Sequence, residues 1–510
     1  MKNSLLFVFM FAMLFANAQQ QTFSKVYYNG VDNIQAYDLM RSADNHYFIA
    51  GTGFITKTDS AGNIDWTKNY YTGMQNKFNC IIPDPDGNPV VAGYSNDGDA
   101  LIMKIDQNGD TLWARYIDFG SFSEAFTVSQ VHDSGFVLCG YVYASSLPNE
   151  MFVARIDQDG NLIWSKTYSV GNHQNYAYSV KETADSGFIV AAYADNYPPY
   201  EPLAVAMKLN SEGLELWCKG FSGGSGSNSA SDVVIDGTDL IFGFEINSLY
   251  ALVKTDSAGN VMWSMNQNFS MNNFLNVTHT RLRKTIFNKL VSVSSSEMAF
   301  SAYLVVCDSA GNQLSANNVY MYGSSAIEAE DSGFMILGNG PMMGVKSDMK
   351  NILESQFVLV KTDSSGNSAM CNDYYFSSSS PLTLSSIPLV AASNTAGTIN
   401  GLSFMISDLT LNIANECVGF IGGFDDSEIG SFSIYPNPSN GAFTLQFVNS
   451  TVNKECLIEV YNPLGVCVYN ASETIRNEIF LDLKELNSGL YYVVVSAEGE
   501  SMSRVVEIHH

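Results

Sequence analysis

The chain has 510 residues, with 51 acidic against 25 basic side chains and a formal net charge of −26. That surplus excludes nucleic acid and an anionic membrane surface as natural partners, and it favours solubility and attraction for cations. A chain that is 46% hydrophobic and 15% charged buries too much apolar surface to be disordered, and its length suits one large domain and a small second one.

Residues 1–18 read as a signal peptide. Lys2 gives the positive start, Leu5 to Phe15 the apolar core, and Ala16-Asn17-Ala18 the small-x-small cleavage site. The apolar run is too short to span a bilayer. No cysteine follows the cleavage site, so no lipoprotein anchor is expected, and no later segment reads as transmembrane.

From there a repeat dominates. Asp59-Ser60-Ala61-Gly62-Asn63-Ile64-Asp65-Trp66 is its first copy: Asp-x-x-Gly, with tryptophan four residues after the glycine. Seven glycines anchor the copies: Gly62, Gly109, Gly160, Gly213, Gly259, Gly311 and Gly366. A spacing of roughly 50 residues marks a repeat architecture. All 5 tryptophans (Trp66, Trp113, Trp164, Trp217 and Trp263) fall on one phase, with Ser315 and Met370 there in the last two copies. A shared phase means a shared environment, read here as an interlocking core position.

Two residues before each turn residue, an Asp in every copy but the fourth, which has Asn210, stands Lys57, Lys104, Arg155, Lys208, Lys254 or Lys361, with Val306 in the sixth copy. Residues two apart on a strand share a face, so each basic side chain is expected beside the turn residue of its own copy. Half a period earlier comes a second turn, as in Asp133-Ser134-Gly135, Asp185-Ser186-Gly187 and Asp331-Ser332-Gly333. Each unit then reads as four short strands, in the first unit about 35–43, 46–52, 53–58 and 64–71. Short strands rich in Val, Ile, Phe and Tyr with regular turns predict an all-β fold, and four per repeat predict a β-propeller. Residues 21–30 match 64–73, with Phe23 in the tryptophan place. A lone fourth strand at the start of the mature chain can complete the last unit, which predicts seven blades over 19–375. Eight is the alternative, if 381–417 supplies three strands. Residues 376–419 read as an appended β-hairpin, and Cys371 and Cys417, which bracket it, are the disulfide candidates. Residues 420–430 read as a linker, and 431–510 as a small β-sandwich.

The motifs of that last segment are Tyr435-Pro436-Asn437-Pro438, Val460-Tyr461-Asn462-Pro463-Leu464-Gly465 and Leu486-Asn487-Ser488-Gly489-Leu490-Tyr491. Together they resemble the type A C-terminal sorting domain of the Bacteroidetes type IX secretion system. The resemblance implies export across both membranes by that machinery, and a product released or held on the outer-membrane surface of a Gram-negative cell. The family commonly ends in a basic residue, whereas this chain ends Glu507-Ile508-His509-His510. The Asp-x-x-Gly-x-x-x-Trp phase also resembles the tryptophan-docking motif of quinone-type propellers. That resemblance implies that Trp66, Trp113, Trp164, Trp217 and Trp263 each dock on a neighbouring blade.

Chemistry is sparse. The 6 histidines show no metal spacing, and no Gly-x-Ser-x-Gly, phosphate loop or His-Glu-x-x-His occurs. No catalytic, cofactor or metal residue is assigned. Asp157-Gln158-Asp159-Gly160-Asn161 and Asp84-Pro85-Asp86-Gly87-Asn88 resemble part of a calcium loop, but Lys166 and Gly93 stand where the bidentate Glu is needed. Weak calcium binding is a minor expectation. Asp-Ser-Ala at 59–61, 256–258 and 308–310 resembles a Bacteroidetes O-glycosylation acceptor. Asn196-Tyr197-Pro198-Pro199-Tyr200 and Tyr320-Met321-Tyr322 are expected to present exposed aromatic surface. The leading reading is a secreted or surface propeller that binds extracellular polysaccharide or protein. The alternatives are a polysaccharide-degrading hydrolase or lyase and a structural surface component.

Overall fold

The computed structural model describes residues 22–509 apart from 30–33, 73–75, 144–147, 173, 196–201, 224–227, 248, 269–276, 297–300, 320, 341–355, 368–371, 375–377, 383, 390, 416–430, 438, 449–454, 462–466 and 498–499. It divides into two compact units, 1–417 and 418–510. The signal peptide, Cys371, Cys417 and the 420–430 linker lie outside the described residues.

In the large unit, the described residues form seven five-stranded antiparallel sheets. The first contains Ala36–Arg41, Tyr47–Gly51, Phe54–Thr58 and Ile64–Tyr71, in sequence order. The next five repeat that meander. The seventh joins Tyr322–Glu328, Phe334–Asn339 and Gln356–Lys361 to Phe23–Tyr28, where Phe23 faces Lys361 and Tyr28 faces Gln356. The N-terminal strand thus completes the last sheet.

Both tight turns of a unit lie at one end of its sheet, and their chemistry explains the repeat. In the third-to-fourth turn the Asp carboxylate accepts two N–H groups of its own loop. Asp59 Oδ1 takes those of Ala61 (2.9 Å) and Asn63 (2.7 Å), and Asp157 Oδ1 those of Asp159 (2.9 Å) and Asn161 (2.8 Å). The glycine follows at positive φ, +82° at Gly160 and +72° at Gly213, a conformation costly for a residue with Cβ.

The basic residue does not serve that Asp, and the expected pairing is corrected here. It lies level with the start of the second strand, as in Arg155 opposite Val137 and Lys208 opposite Ile189. Its side chain therefore reaches the first-to-second turn. Lys104 pairs with Asp84, Arg155 with Asp133, Lys208 with Asp185 (2.9 Å), Lys254 with Asp236 (2.7 Å) and Lys361 with Asp331 (2.8 Å). Arg155, Lys208 and Lys361 are buried while their carboxylate partners stay exposed, so each pair ties the third strand to the first-to-second turn at the surface.

The core lies between sheets. Each neighbouring pair encloses an apolar seam: Val137, Cys139 and Val153 of the third sheet meet Val180, Val190 and Met207 of the fourth. The row also meets itself, because Leu337 and Leu359 of the seventh sheet share a cluster with Leu39 and Ile49 of the first.

The tryptophans sit at these seams. Trp66, Trp113, Trp164, Trp217 and Trp263 lie against Gly109, Gly160, Gly213, Gly259 and Gly311 of the following unit, and a Cβ there would come within 3 Å of the indole. The indole N–H of Trp164 donates to Ser211 O at 3.0 Å and that of Trp217 to Ser257 O at 3.2 Å. Their environment is shared, but each ring is half-buried, not enclosed. Gly62 meets Phe23 and Tyr27 instead, and Gly366 meets Asn317 and Leu304.

Residues 372–415 overturn the expected hairpin, and with it the eight-blade count. Their short strands do not pair with one another. Asn372–Tyr374, Ser378–Pro381, Ser385–Leu389, Ala392–Thr395, Thr398–Gly401, Met405–Asp408 and Asn412–Asn415 each add a fifth strand to a different sheet. They visit the sixth sheet, then the fifth down to the first, then the seventh. From this segment an apolar side chain packs into each of five seams that also hold a docking aromatic: Leu382 with Trp217, Leu389 with Trp164, Ile399 with Trp113, Phe404 with Trp66 and Leu409 with Phe23. This belt covers the outer edge of every fourth strand, an edge that otherwise invites association.

The small unit packs a three-stranded sheet (Ser431–Tyr435, Ala442–Val448, Glu478–Asp482) on a four-stranded one (Glu455–Tyr461, Cys467–Thr474, Gly489–Ala497, Glu500–Ile508). Phe443, Leu445, Ile458, Val460, Val493 and Val506 fill the space between.

Candidate binding site on the axis of the repeats

The first strand of every sheet carries an irregularity at the same place. Pairing with the second strand skips Tyr37, Asn79, Phe126, Tyr178, Ser231 and Ser324, and in the sixth sheet the pair 279–280. Such bulges re-aim side chains. The residues that follow are Asp38, Cys80, Thr127, Ser179, Asp232, Arg281 and Ser325. Two further along come Met40, Ile82, Ser129, Lys181, Val234, Arg283 and Ile327.

Charge gathers in these two layers. Asp38 is fully buried. It accepts the N–H groups of Leu39 (3.0 Å) and Ile81 (3.1 Å), the Ser325 hydroxyl (2.7 Å) and the Arg283 guanidinium (3.3 Å). Burial alone would raise its pKa, but Arg283, Arg281 and these donors outweigh it and hold the carboxyl below its usual value. Asp232 accepts from Ser179 (2.5 Å) and from the N–H groups of Val233 (2.8 Å) and Leu282 (3.0 Å), with Arg283 at 3.9 Å. Arg281, on the sixth sheet, donates to Asn79 O (2.9 Å) and Phe126 O (3.1 Å), on the second and third sheets. A side chain of the sixth sheet thus touches the first strands of the second and third.

At the start of these strands, away from the tight turns, aromatic rings collect. Phe126 lies 5.5 Å from Tyr141 and 5.2 Å from Tyr178, and Tyr176 lies 4.9 Å from Tyr141 and 6.1 Å from Tyr193. All five are half-buried. Polar groups rim them. Lys77 sits over Tyr37 at 4.8 Å and pairs with Glu124 at 3.0 Å, which also accepts from Asn79 at 2.8 Å. Asn149 Nδ2 donates to Gln174 Oε1 (2.7 Å) and to Tyr176 Oη (2.9 Å), and Tyr193 donates to Asp195 at 3.0 Å. Burial first, then nearby acidic and phenolic groups, raises the Tyr141 and Tyr178 pKa values, so both remain donors.

The residues singled out by sequence fall elsewhere. Met321 is buried in the seam of the sixth and seventh sheets, and Tyr322 is half-buried. Residues 196–200, Tyr320, Pro438 and Gly465 lie outside the described residues. Among the described residues no cluster of His, Cys, Asp and Glu is arranged to hold a metal. Burial raises the Cys139 and Cys307 thiols to about 12. Tyr435, Pro436 and Asn437 are exposed, and Tyr435 donates to Glu478 at 2.7 Å. Gly489 opens a strand, and the buried Tyr491 donates to Asn487 O at 2.9 Å. The axial cluster was missed. Its signal was Asp38, Asp232, Arg281 and Arg283 interrupting apolar first strands at matched repeat phases.

Residues 433–508 match the secretion system C-terminal sorting domain family. A curated relative, ulvan lyase NLR42 of Nonlabens ulvanivorans, is 32% identical over 74 residues, 14% of this chain and 13% of that protein. Among solved structures, an inactive virginiamycin B lyase from Staphylococcus aureus with quinupristin aligns at 10% identity, over 67% of this chain and 99% of that one, with a TM-score of 0.43. The Pan2 WD40 domain of Neurospora crassa aligns at 10% identity over 64% and 89%, with a TM-score of 0.36. The C-terminal segment is a type IX sorting domain, so the protein is exported to the medium or the outer-membrane surface of a Bacteroidetes cell. No helix among the described residues is long and apolar enough to cross a membrane.

Proposed function

We propose that this exported protein carries a closed seven-bladed β-propeller over 23–415, and that its aromatic end binds an extracellular polymer, a polysaccharide foremost. Closure is supported by the seam between the seventh and first sheets, by the pairing of Phe23–Tyr28 with Gln356–Lys361, and by Arg281 reaching across to the second and third sheets.

The half-exposed array of Phe126, Tyr141, Tyr176, Tyr178 and Tyr193 carries the binding reading. Sugar rings present apolar C–H faces that pack on aromatic rings, and their hydroxyls need the donors and acceptors that Asn149, Gln174, Glu124 and Lys77 place at the rim. The reading requires no cofactor. Calorimetry with calcium checks the minor expectation of a cation, since the Asp157 carboxylate is engaged by its own loop.

The test is retention of the mature protein on an array of polysaccharides and matrix proteins, with product release scored in parallel. Retention without cleavage, weakened at least tenfold by Phe126→Ala or Tyr178→Ala, supports binding. Cleavage favours the hydrolase or lyase reading, for which the acidic pair Glu124 and Glu245 beside Tyr178 is the place to look. Self-association with no ligand favours a structural surface component.

A further inference from the structure

We infer that the axis of the seven sheets holds a small anion, an oxyanion such as sulfate or a carboxylate, between Lys181 and Arg281. The argument begins with charge. Three cationic side chains, Lys181, Arg281 and Arg283, face two carboxylates, Asp38 and Asp232, in the two layers described above. In a chain of net charge −26, these two layers carry one more basic than acidic side chain.

The carboxylates are already committed. Asp38 takes four donors and Asp232 three, before the more distant Arg283 contact is counted. Arg283 is engaged by both. The remaining two cations are not. Lys181 has three N–H donors and one hydrogen-bond partner, the Ser129 hydroxyl at 2.8 Å. Arg281 spends Nη2 on two neutral carbonyls, and its other guanidinium N–H groups have no partner among the described residues.

Burial would lower the Arg281 pKa, but Cys80, Asp38 and Asp232 outweigh it and raise it, so the carboxylates act on this guanidinium without hydrogen-bonding to it. A half-buried cation whose N–H groups lack acceptors is costly, and the cost falls when an anion with hydrogen-bonding oxygens is supplied. Burial lowers the Lys181 pKa, with Asp232 opposing it and Arg283 and Arg281 adding to it. Ser129 and Phe126, which Lys181 and Arg281 contact, stand three residues apart on one strand, so the two cations are neighbours. Lys181 and Arg281 also keep part of their surface exposed, so solvent, and a solute of similar size, reaches them.

The same chemistry has two sources, a free inorganic anion or an acidic group borne by a polymer. Titration calorimetry on the mature protein at constant ionic strength separates them, with sodium sulfate, sodium acetate, sodium glucuronate and neutral glucose as probes. Saturable binding of the anions but not of glucose is expected, with affinity reduced at least tenfold in Lys181→Met. Sulfate and acetate as strong as glucuronate point to a free anion. Glucuronate alone points to an acidic sugar. Ser129→Ala, a smaller change, is expected to weaken binding several-fold with the circular dichroism unchanged, and it guards against misfolding of the lysine variant. The absence of saturable anion binding, or equal binding by wild type and both folded variants, overturns the inference. Loss of polysaccharide retention in the Phe126→Ala protein leaves this result untouched, so the two readings fail separately.

Discussion

The contact of Trp164 with Gly213 is the clearest place to test how the units lock. The indole is half-buried, donates to Ser211 O at 3.0 Å, and lies edge-on to Phe188 at 5.7 Å. Removing a fully buried Trp costs about 3–5 kcal/mol, so half-burial gives about 2. The lost hydrogen bond adds at most ~1 kcal/mol, because a carbonyl near the surface regains water. Trp164→Ala is therefore expected to cost about 2–3 kcal/mol. Gly213→Ala has two costs. A φ of +72° strains Ala by roughly 1–2 kcal/mol. The new Cβ also meets the indole at 2.8 Å, an overpacking worth about 1–3 kcal/mol. In a Trp164→Ala background the second cost vanishes and the first remains. Urea unfolding of the four proteins, read by fluorescence and circular dichroism with coincident transitions required, completes the double-mutant cycle. Coupling of at least about 1 kcal/mol is expected. Equal costs of Gly213→Ala in both backgrounds, within about 0.5 kcal/mol, would refute docking across the seam.

Other outcomes follow from the same contacts. Deleting 372–417 uncovers the outer edges of seven fourth strands and is expected to give soluble aggregates or insoluble protein on size-exclusion chromatography run beside the intact chain. Asp38→Asn leaves Arg283 with only the more distant Asp232 as a carboxylate partner and is expected to cost about 3–5 kcal/mol, measured by the shift in urea midpoint. Asp185 is held down to about 2: burial opposes the shift, but Thr183, Lys208 and the Gly187 N–H outweigh it. A depressed carboxylate contributes stability that is complete above its unfolded value, about 3.9, and is lost as pH falls through the folded value. Unfolding titrations should show Lys208→Met flattening the stability loss between about pH 4 and pH 2. An unchanged profile there would exclude the pair as its source.

The sequence by itself determined whatever rests on local chemistry. Asp59 and Gly62 close a turn through atoms four residues apart, so the same letters recur wherever that turn recurs, and the period, the all-β class and the four-strand unit are readable. The tryptophan phase was readable because one environment is built five times. The sorting domain was readable because its motifs lie within one short stretch.

Tertiary structure decided everything that depends on partners far along the chain. The belt has no local signal: Ala396 meets Ser165, 231 residues away, and strands of three to five residues look like any polar stretch until an edge is there to pair with. The expected pairing of Lys208 failed because shared strand face was taken for contact. The antiparallel neighbour instead brought Asp185 within reach, across a turn that sequence spacing does not measure. Asp38 and Arg283 lie 245 residues apart and meet only in the assembled sheets. The charge balance on that axis is a property of the assembled sheets, since no single repeat contains more than one sign of it.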